Sequence, residues 1–359
     1  MPSPKKIKFS KLERLLGEHR GKSLPFALFR NPGEEEIHSL LQNDRENPGF
    51  TGGDQKGFVF APFHTGASPT LFLRPDQAYR TPVPGGAACA MDIGPRPDTE
   101  AREIHMGLVE EAVREIRTTS LEKVVLARRF SLPCTLSAVE IFLRLCQTYP
   151  RAFCYVWSHP DSGTWLGASP EQLMEFDGTR GHTDALAGTQ PAAGFVAPAW
   201  SAKEYREQQL VTDFIVEKLR EAGLEPEVGP TRDERAGALW HLRTRVGFQA
   251  DADAAAGLVG ALHPTPAVCG QPRGAARDYI LGHENFDREY YCGFLGEVGR
   301  TGPGSFRLFV NLRCLQLREN SAYIYTGGGI TADSDPAAEW DEIQHKSLTV
   351  LRALQNSPD

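Results

Sequence analysis

The sequence predicts an α/β (α+β) fold organised on large, mostly antiparallel sheets flanked by helices. Three observations carry this expectation. Strand-like runs outnumber helical stretches along the chain. Several of those runs adjoin through tight turns, as antiparallel partners do. The regular strand–helix alternation that a parallel dinucleotide-type sheet requires is absent.

Taken in order, residues 1–80 carry short strand-like runs, at 24–30 and 57–64, between polar loops. A Pro/Gly-rich stretch at 81–97 reads as a connector. Residues 100–118 then read as a helix and 122–132 as a strand. A second helix is expected at 136–149, followed by strands at 153–158, 164–167 and 172–176. A long helix covers 201–222. Strands are expected at 238–249, 290–298, 305–316 and 321–326, and a last helix at 337–355.

Length and composition bound the function. With 359 residues, 40% of them hydrophobic, the chain can bury one large core or two smaller ones. A formal net charge of −7 leaves no basic surplus for neutralising phosphates, so nucleic acid is not an expected partner. An acidic protein that holds an acidic small molecule needs local cations, either a metal or a few placed Lys and Arg. The seven cysteines are dispersed, with no C-x-x-C, which fits a reducing cytoplasm and argues against zinc. No 18-residue apolar run occurs, so a soluble protein with no membrane partner is expected.

Two helices carry paired carboxylates. Glu204 and Glu207 stand three residues apart near the start of the 201–222 helix, and Leu210, Val211 and Phe214 follow in line with Glu207. A carboxylate aimed at the core must be paired or metal-bound; the plainer reading is a first-turn Glu favoured by the helix dipole. In the last helix, Ser334-Asp335-Pro336 is a start signal, and Glu339, Glu342 and Lys346 form one stripe beside the packing stripe of Trp340, Ile343 and Leu351. Here the plainer reading is a solvated face with a Glu342–Lys346 pair. Together the two E-x-x-E helices suit Mg²⁺, a hard cation that takes carboxylate, water and substrate oxygens.

Four further features carry chemistry in one reading and none in the other. Gly327-Gly328-Gly329 follows the strand-like run at 323–326; a Gly-rich turn exposes N–H groups to an anion, or is simply a turn. Arg313 lies in an alternating run where Val310 and Leu312 face one side and Asn311 and Arg313 the other. In a central strand it suits bidentate carboxylate binding; otherwise it is a surface Arg. Lys123 opens the apolar run 123–127 and is either a desolvated base or a strand-end lysine in water. Glu171, after Gly167-Ala168-Ser169-Pro170 at a strand-turn-strand junction, is a buried protonated acid or a turn residue.

In this order the segments resemble the chorismate-utilising enzymes, which include isochorismate synthases, salicylate synthases, anthranilate synthase large subunits and aminodeoxychorismate synthases. The resemblance rests on KVVLARR (123–129), GASPE (167–171), ALAGT (185–189), EYREQQLV (204–211) and LHPTPAVCG (262–270). It continues through FDREYYCGFLG (286–296), FVNLRC (309–314), YTGGGI (325–330) and SDPAAEWDEIQHK (334–346). It spans about residues 100–355, and residues 1–95 match nothing specific, as is usual for the variable N-terminal part of these enzymes.

The resemblance implies a single chorismate-binding domain, with a variable N-terminal part (1–95) and a catalytic core (96–359). It implies Mg²⁺ held by Glu207 and Glu342 with Glu204 and Glu339 supporting. It places the enolpyruvyl carboxylate on Arg313, helped by Tyr291 and the Gly328 and Gly329 amides, and the ring carboxylate near Gly188 and Lys346. Lys123 matches the lysine that activates water, and Glu171 the acid that protonates the departing ring hydroxyl. Lys123 where ammonia-adding relatives typically carry another residue, and Ala187 where aminodeoxychorismate synthases carry a lysine, make water the implied nucleophile. An isochorismate synthase of the menaquinone or siderophore type is therefore implied, with no glutamine amidotransferase subunit. Salicylate synthase and a non-catalytic chorismate-binding module remain as alternatives, although 263–267 resembles isochorismate synthases more than salicylate synthases. The chain departs from its relatives at Gln190-Pro191-Ala192-Ala193, which lacks a basic residue, and at Gly328, where Ala is usual.

Overall fold

The computed structural model describes residues 1–52, 54–86, 94, 98–191, 197–236 and 239–355. Its described residues form two sheets and the helices α1 (Phe9–Gly21), α2 (Thr99–Thr118), α3 (Ala138–Thr148), α4 (Ala202–Glu221), α5 (Ala252–Leu262), α6 (Arg273–His283) and α7 (Pro336–Leu354).

The first sheet has ten strands, in the order Lys5–Lys6, Gln77–Pro82, Glu36–Leu41, Phe26–Arg30, Phe153–His159, Gly163–Ser169, Cys314–Arg318, Ser321–Thr331, Lys123–Pro133, Gly270–Gln271. The second runs Glu227–Val228, Leu239–Gln249, Arg180–Pro191, Gln172–Phe176, Phe306–Val310, Phe294–Val298, Gly57–Ala61, Leu71–Leu73, with Arg232–Ala236 also on Leu239–Gln249. Apart from Lys5–Lys6 against Gln77–Pro82, the described pairings are antiparallel, as the sequence predicts.

Side-chain alternation explains the layering. In Phe26–Arg30, Ala27 and Phe29 join the core between the sheets while Phe26 and Leu28 face the opposite core. Tyr155 and Trp157 against Val156, and Trp165 against Leu166, repeat that division. A strand buried on both faces reads as a continuous apolar run, and here helices supply the second cover. Leu12 and Leu16 of α1, Ile141, Phe142 and Leu145 of α3, and Leu348 and Leu351 of α7 close the outer face of the ten-stranded sheet. Each such side chain contributes about 1.5–3 kcal/mol relative to exposure. Val211, Phe214, Ile215 and Leu219 of α4 belong to the inter-sheet core, and α4 packs on Arg180–Pro191.

Three expectations need correction. The run 305–316 is two strands in different sheets, Phe306–Val310 and Cys314–Arg318. Arg313 is therefore in no strand; its φ of +49° lies in the left-handed region. The three glycines are no turn. They continue Ser321–Thr331, in register with Lys123–Pro133 through Gly327↔Ala127, Gly328↔Leu126 and Gly329↔Val125, because the partner strand supplies the order that glycine lacks. The expected strand at 290–298 begins only at Phe294. Helices α1, α5 and α6 and the strand Arg180–Pro191 were not anticipated. Most of the expected 81–97 connector lies outside the described residues. The six described cysteines are buried and unbridged.

Candidate active site

The chain crosses between the sheets at two adjacent places, and the site is built there. Pro170–Glu171 carries it from Gly163–Ser169 of the first sheet to Gln172–Phe176 of the second; Asn311–Arg313 carries it back. The crossings hold each other. Ser169 Oγ donates to the Val310 carbonyl at 2.6 Å, Val310 N–H to the Glu171 carbonyl at 3.0 Å, and Ala168 N–H to the Arg313 carbonyl at 3.1 Å. Asn311, fully buried, accepts from the Tyr155 hydroxyl at 2.5 Å and donates to the Tyr290 carbonyl at 2.8 Å. An arginine with positive φ costs on the order of 1–3 kcal/mol and persists only where its surroundings dictate it. Such strain concentrates at functional sites.

A pocket opens between the crossings, lined by Glu171, Gly188, Glu207, His241, Tyr291, Arg313, Gly327, Gly328, Gly329, Glu342 and Lys346, with Val125, Ala267 and Val268 as apolar wall. It thus brings together most of the residues that the sequence singles out. Lys123, Glu204 and Glu339 stand behind this lining.

Lys123 is fully buried and gives its Nζ to Glu207 Oε1 at 2.8 Å, so the solvent-reaching reading is excluded. Glu171 is 6% exposed. Burial raises its pKa to about 7, against the pull of Lys123, Lys346 and Arg313 and with a push from Asp184. It is a carboxyl that holds a proton near neutrality. Burial also opposes ionisation of Glu207, but the Lys123 charge and hydrogen bond, aided by Lys346 and Lys203, outweigh it and keep Glu207 below its ordinary pKa. Two carboxyls on one pocket are thereby driven apart in acidity.

The other pocket-side carboxylates are also held by lysines. Lys346 Nζ meets Glu342 Oε1 at 2.5 Å and donates to the Gly327 carbonyl at 3.2 Å. The Glu342–Lys346 pair exists, as the plainer reading held, but it lines the pocket. Glu339, 3% exposed, accepts from Ser334 Oγ at 2.6 Å and from Lys203 Nζ at 3.1 Å. Glu204 differs. It is the N3 residue of an α4 capping box, and its carboxylate accepts from the Ser201 N–H at 2.9 Å.

The glycines let these groups meet. A Cβ on Gly329 would stand 2.9 Å from Lys123 Cε and 3.1 Å from Glu207 Oε1; on Gly328, 3.5 Å from Glu339 Oε2 and 3.7 Å from Glu342 Oε1; on Gly327, 3.0 Å from the Tyr291 hydroxyl. Gly188 has φ +66° at the bulge between Ala187 and Thr189, beside Glu204. Arg313 donates to the Lys346 carbonyl at 3.3 Å, joining the crossing to α7.

Among the described residues, no three His, Cys, Asp or Glu side chains converge as a ready metal cage. Glu207 and Glu342 nevertheless reach neighbouring glycines of one strand from two different helices. One or two carboxylates completed by substrate oxygens and water is the habit of Mg²⁺, so the donor set fits.

Sequence reasoning missed His241 and Lys203. His241 donates from Nδ1 to the Gly188 carbonyl at 3.0 Å. Burial, then Arg313 and Lys346, push its pKa down to about 3, so the ring is neutral at neutral pH. A single histidine in a strand carries no spacing signal. Lys203 lay beside the E-x-x-E pattern, but only the fold brings it to α7.

The site and fold define a chorismate-binding enzyme: residues 92–355 match the family model "Chorismate binding enzyme", and the chain belongs to that family. Among its relatives are isochorismate synthases. The DhbC enzyme of Bacillus subtilis is 34% identical over 269 residues, covering 68% of this chain and 66% of that protein. A salicylate-biosynthesis isochorismate synthase of Pseudomonas aeruginosa is 34% identical over 343 residues, covering 89% of this chain and 67% of that protein. The chain thus spans about two thirds of the length of these relatives. In structure it resembles DhbC of Bacillus anthracis (TM-score 0.77, 23% identity, 95% of this chain and 99% of that one) and the menaquinone-specific MenF of Escherichia coli (TM-score 0.75, 22% identity, 93% and 89%), a likeness of fold.

Proposed function

We propose that the chain is an isochorismate synthase, converting chorismate to isochorismate by adding water at C2 with loss of the C4 hydroxyl. One observation carries the reading. A buried amine, Lys123, stands directly behind Glu207 of a pocket lined also by a buried carboxyl poised near neutrality, Glu171, and by Arg313 and Lys346. The identities of 34% to isochorismate synthases support it.

In this mechanism Arg313 takes the enolpyruvyl carboxylate, with Tyr291 and the Gly328 and Gly329 backbone beside it. Lys346 and Gly188 border the ring carboxylate. Lys123, once it has given up the proton it directs at Glu207, accepts the proton of a water attacking C2. Glu171 gives its proton to the C4 hydroxyl as it leaves from the other end of the allylic system. Each proton transfer contributes on the order of 10²–10⁴ in rate, and fixed orientation adds to it. Glu207 and Glu342 would hold Mg²⁺, with Glu339 steadied between Ser334 and Lys203 in support; Glu204 would take part only by leaving its cap at Ser201. When bound, the metal supplies neutralisation of carboxylate charge.

Product analysis after incubating the protein with chorismate and Mg²⁺ tests the proposal. Isochorismate alone is the expected outcome. Salicylate with pyruvate would make the enzyme a salicylate synthase, and tight binding without turnover would make it a binding module. In the same assay, Glu342→Gln loses the Mg²⁺ response; activity that persists in chelator would remove the metal from the scheme.

A further inference from the structure

The strand that carries Lys123 lies between two unlike neighbours. Along one edge it pairs with the glycine strand from Thr331 back to Ser321. Along the other, among the described residues, it has only the short strand Gly270–Gln271, whose backbone support ends where Val125 N–H donates to the Cys269 carbonyl at 2.8 Å. The next two groups on that edge are the Val125 carbonyl and the Ala127 N–H. Arg288 Nη2 donates to the first at 2.7 Å, and Glu284 Oε1 accepts from the second at 2.8 Å. Arg288 and Glu284 are joined to each other at 2.8 and 2.5 Å, and their side chains are 3% and 2% exposed. Arg288 also donates to the Val268 carbonyl at 3.0 Å, and its guanidinium lies 4.6 Å from the Phe63 ring centroid.

An ion pair thus continues a β-ladder where the backbone stops, offering a donor and an acceptor at the positions of a missing strand. Charge-assisted bonds are strong and directional, and a forked guanidinium fixes two carbonyls at once. Both carbonyls belong to residues of the pocket wall, Val125 and Val268.

We propose that Glu284 and Arg288 form a positioning unit for the reaction: they act as a surrogate strand that sets where the Lys123 segment and the Val268 wall stand relative to Glu171 and Arg313. This rests on the reading of Lys123 as the base. Neither residue lines the pocket, so both act through the strand.

The test combines turnover with amide hydrogen exchange, which reads the strand whatever the substrate. Arg288→Lys keeps the charge and loses the fork; it is expected to lower kcat about 100-fold, with KM for chorismate within about threefold because the Arg313 side is untouched. Glu284→Leu, which removes both the acceptor of the Ala127 N–H and the partner of Arg288, is expected to fall as Arg288→Lys does. In Arg288→Lys and Glu284→Leu the Ala127 amide exchanges faster than in the wild type, while the Val156 amide is unchanged. Arg30→Lys is the control. Arg30 is also buried and binds the carbonyls of Cys146, Tyr149 and Ala152, and its loss should lower Tm but not kcat. Wild-type kcat and Ala127 protection in Arg288→Lys would overturn the proposal, as would an equal loss of kcat in Arg30→Lys. If Lys123→Ala keeps wild-type kcat, the base assignment fails separately, while slower or faster Ala127 exchange still decides whether the pair supports the strand.

Discussion

Glu171, the proposed acid, sits in an environment that bears on chemistry and stability alike. Its pKa of about 7 is set first by burial. Raised above the value in the unfolded chain, it gives a stability term that is full below about pH 4.5 and is lost as pH rises through about 7, on the order of 3 kcal/mol in all. Glu171→Gln should therefore be more stable than wild type at pH 8 and no more stable at pH 4, read from denaturant midpoints. The same substitution should lower kcat by about 10²–10⁴-fold. In the wild type, kcat/KM should decline as pH climbs past about 7, as the acid loses its proton; a profile flat from pH 6 to 9 would remove Glu171 from that role. Lys123→Ala should cost about 10²–10⁴ in kcat while chorismate binding, measured calorimetrically, stays near wild type. It also strands the Glu207 carboxylate without its ion-pair partner, so Tm should fall.

At the scale of elements, the glycine strand and the two carboxylate helices form the working unit. Gly329→Ala places a methyl 2.9 Å from Lys123 Cε and 3.1 Å from Glu207 Oε1. About a 10–100-fold loss of kcat is expected, since a displacement of order 1 Å has that effect on a positioned group. Gly282→Ala is the matching control: its Cβ meets nothing within 4 Å on α6, and it should raise stability by up to about 1 kcal/mol with kcat unchanged. The elements also show what the sequence made legible. Strands such as Gln172–Phe176 and helices such as α4 and α7 carry their own periodicity and start signals, and so stand where expected. The break at Arg313 was hidden because alternation runs straight through Val310–Arg313, while one left-handed φ moves the chain to the other sheet. Helix α5, rich in Ala and Gly, has no polar stripe to contrast with an apolar one. In α1 the stripe is a short one, Leu12, Leu15, Leu16 and His19, set among charged residues. Lys203 and His241 reach the site only through tertiary structure.

For the whole molecule, three histidines with strongly lowered pKa values make the fold acid-sensitive. Burial is the first cause that lowers His105 and His263 to about 4 and His241 to about 3. Each is neutral in the folded chain and protonates more readily when unfolded. Stability should therefore fall as pH drops below about 6.5, on the order of 1.4 kcal/mol per pH unit for each histidine, until the folded pKa values are reached. His105→Phe should shallow that slope below pH 6, seen in Tm against pH. The two sheets meet at their crossings, and the pocket depends on both holding their place. The most direct measurement of its chemistry is a turnover of chorismate in ¹⁸O-labelled water, with mass spectrometry of the product. Attack by a water that Lys123 deprotonates places one heavy oxygen in the C2 hydroxyl of isochorismate, and Lys123→Ala forms almost none of this product. Isochorismate lacking the label, or full labelled product from Lys123→Ala, would contradict the mechanism.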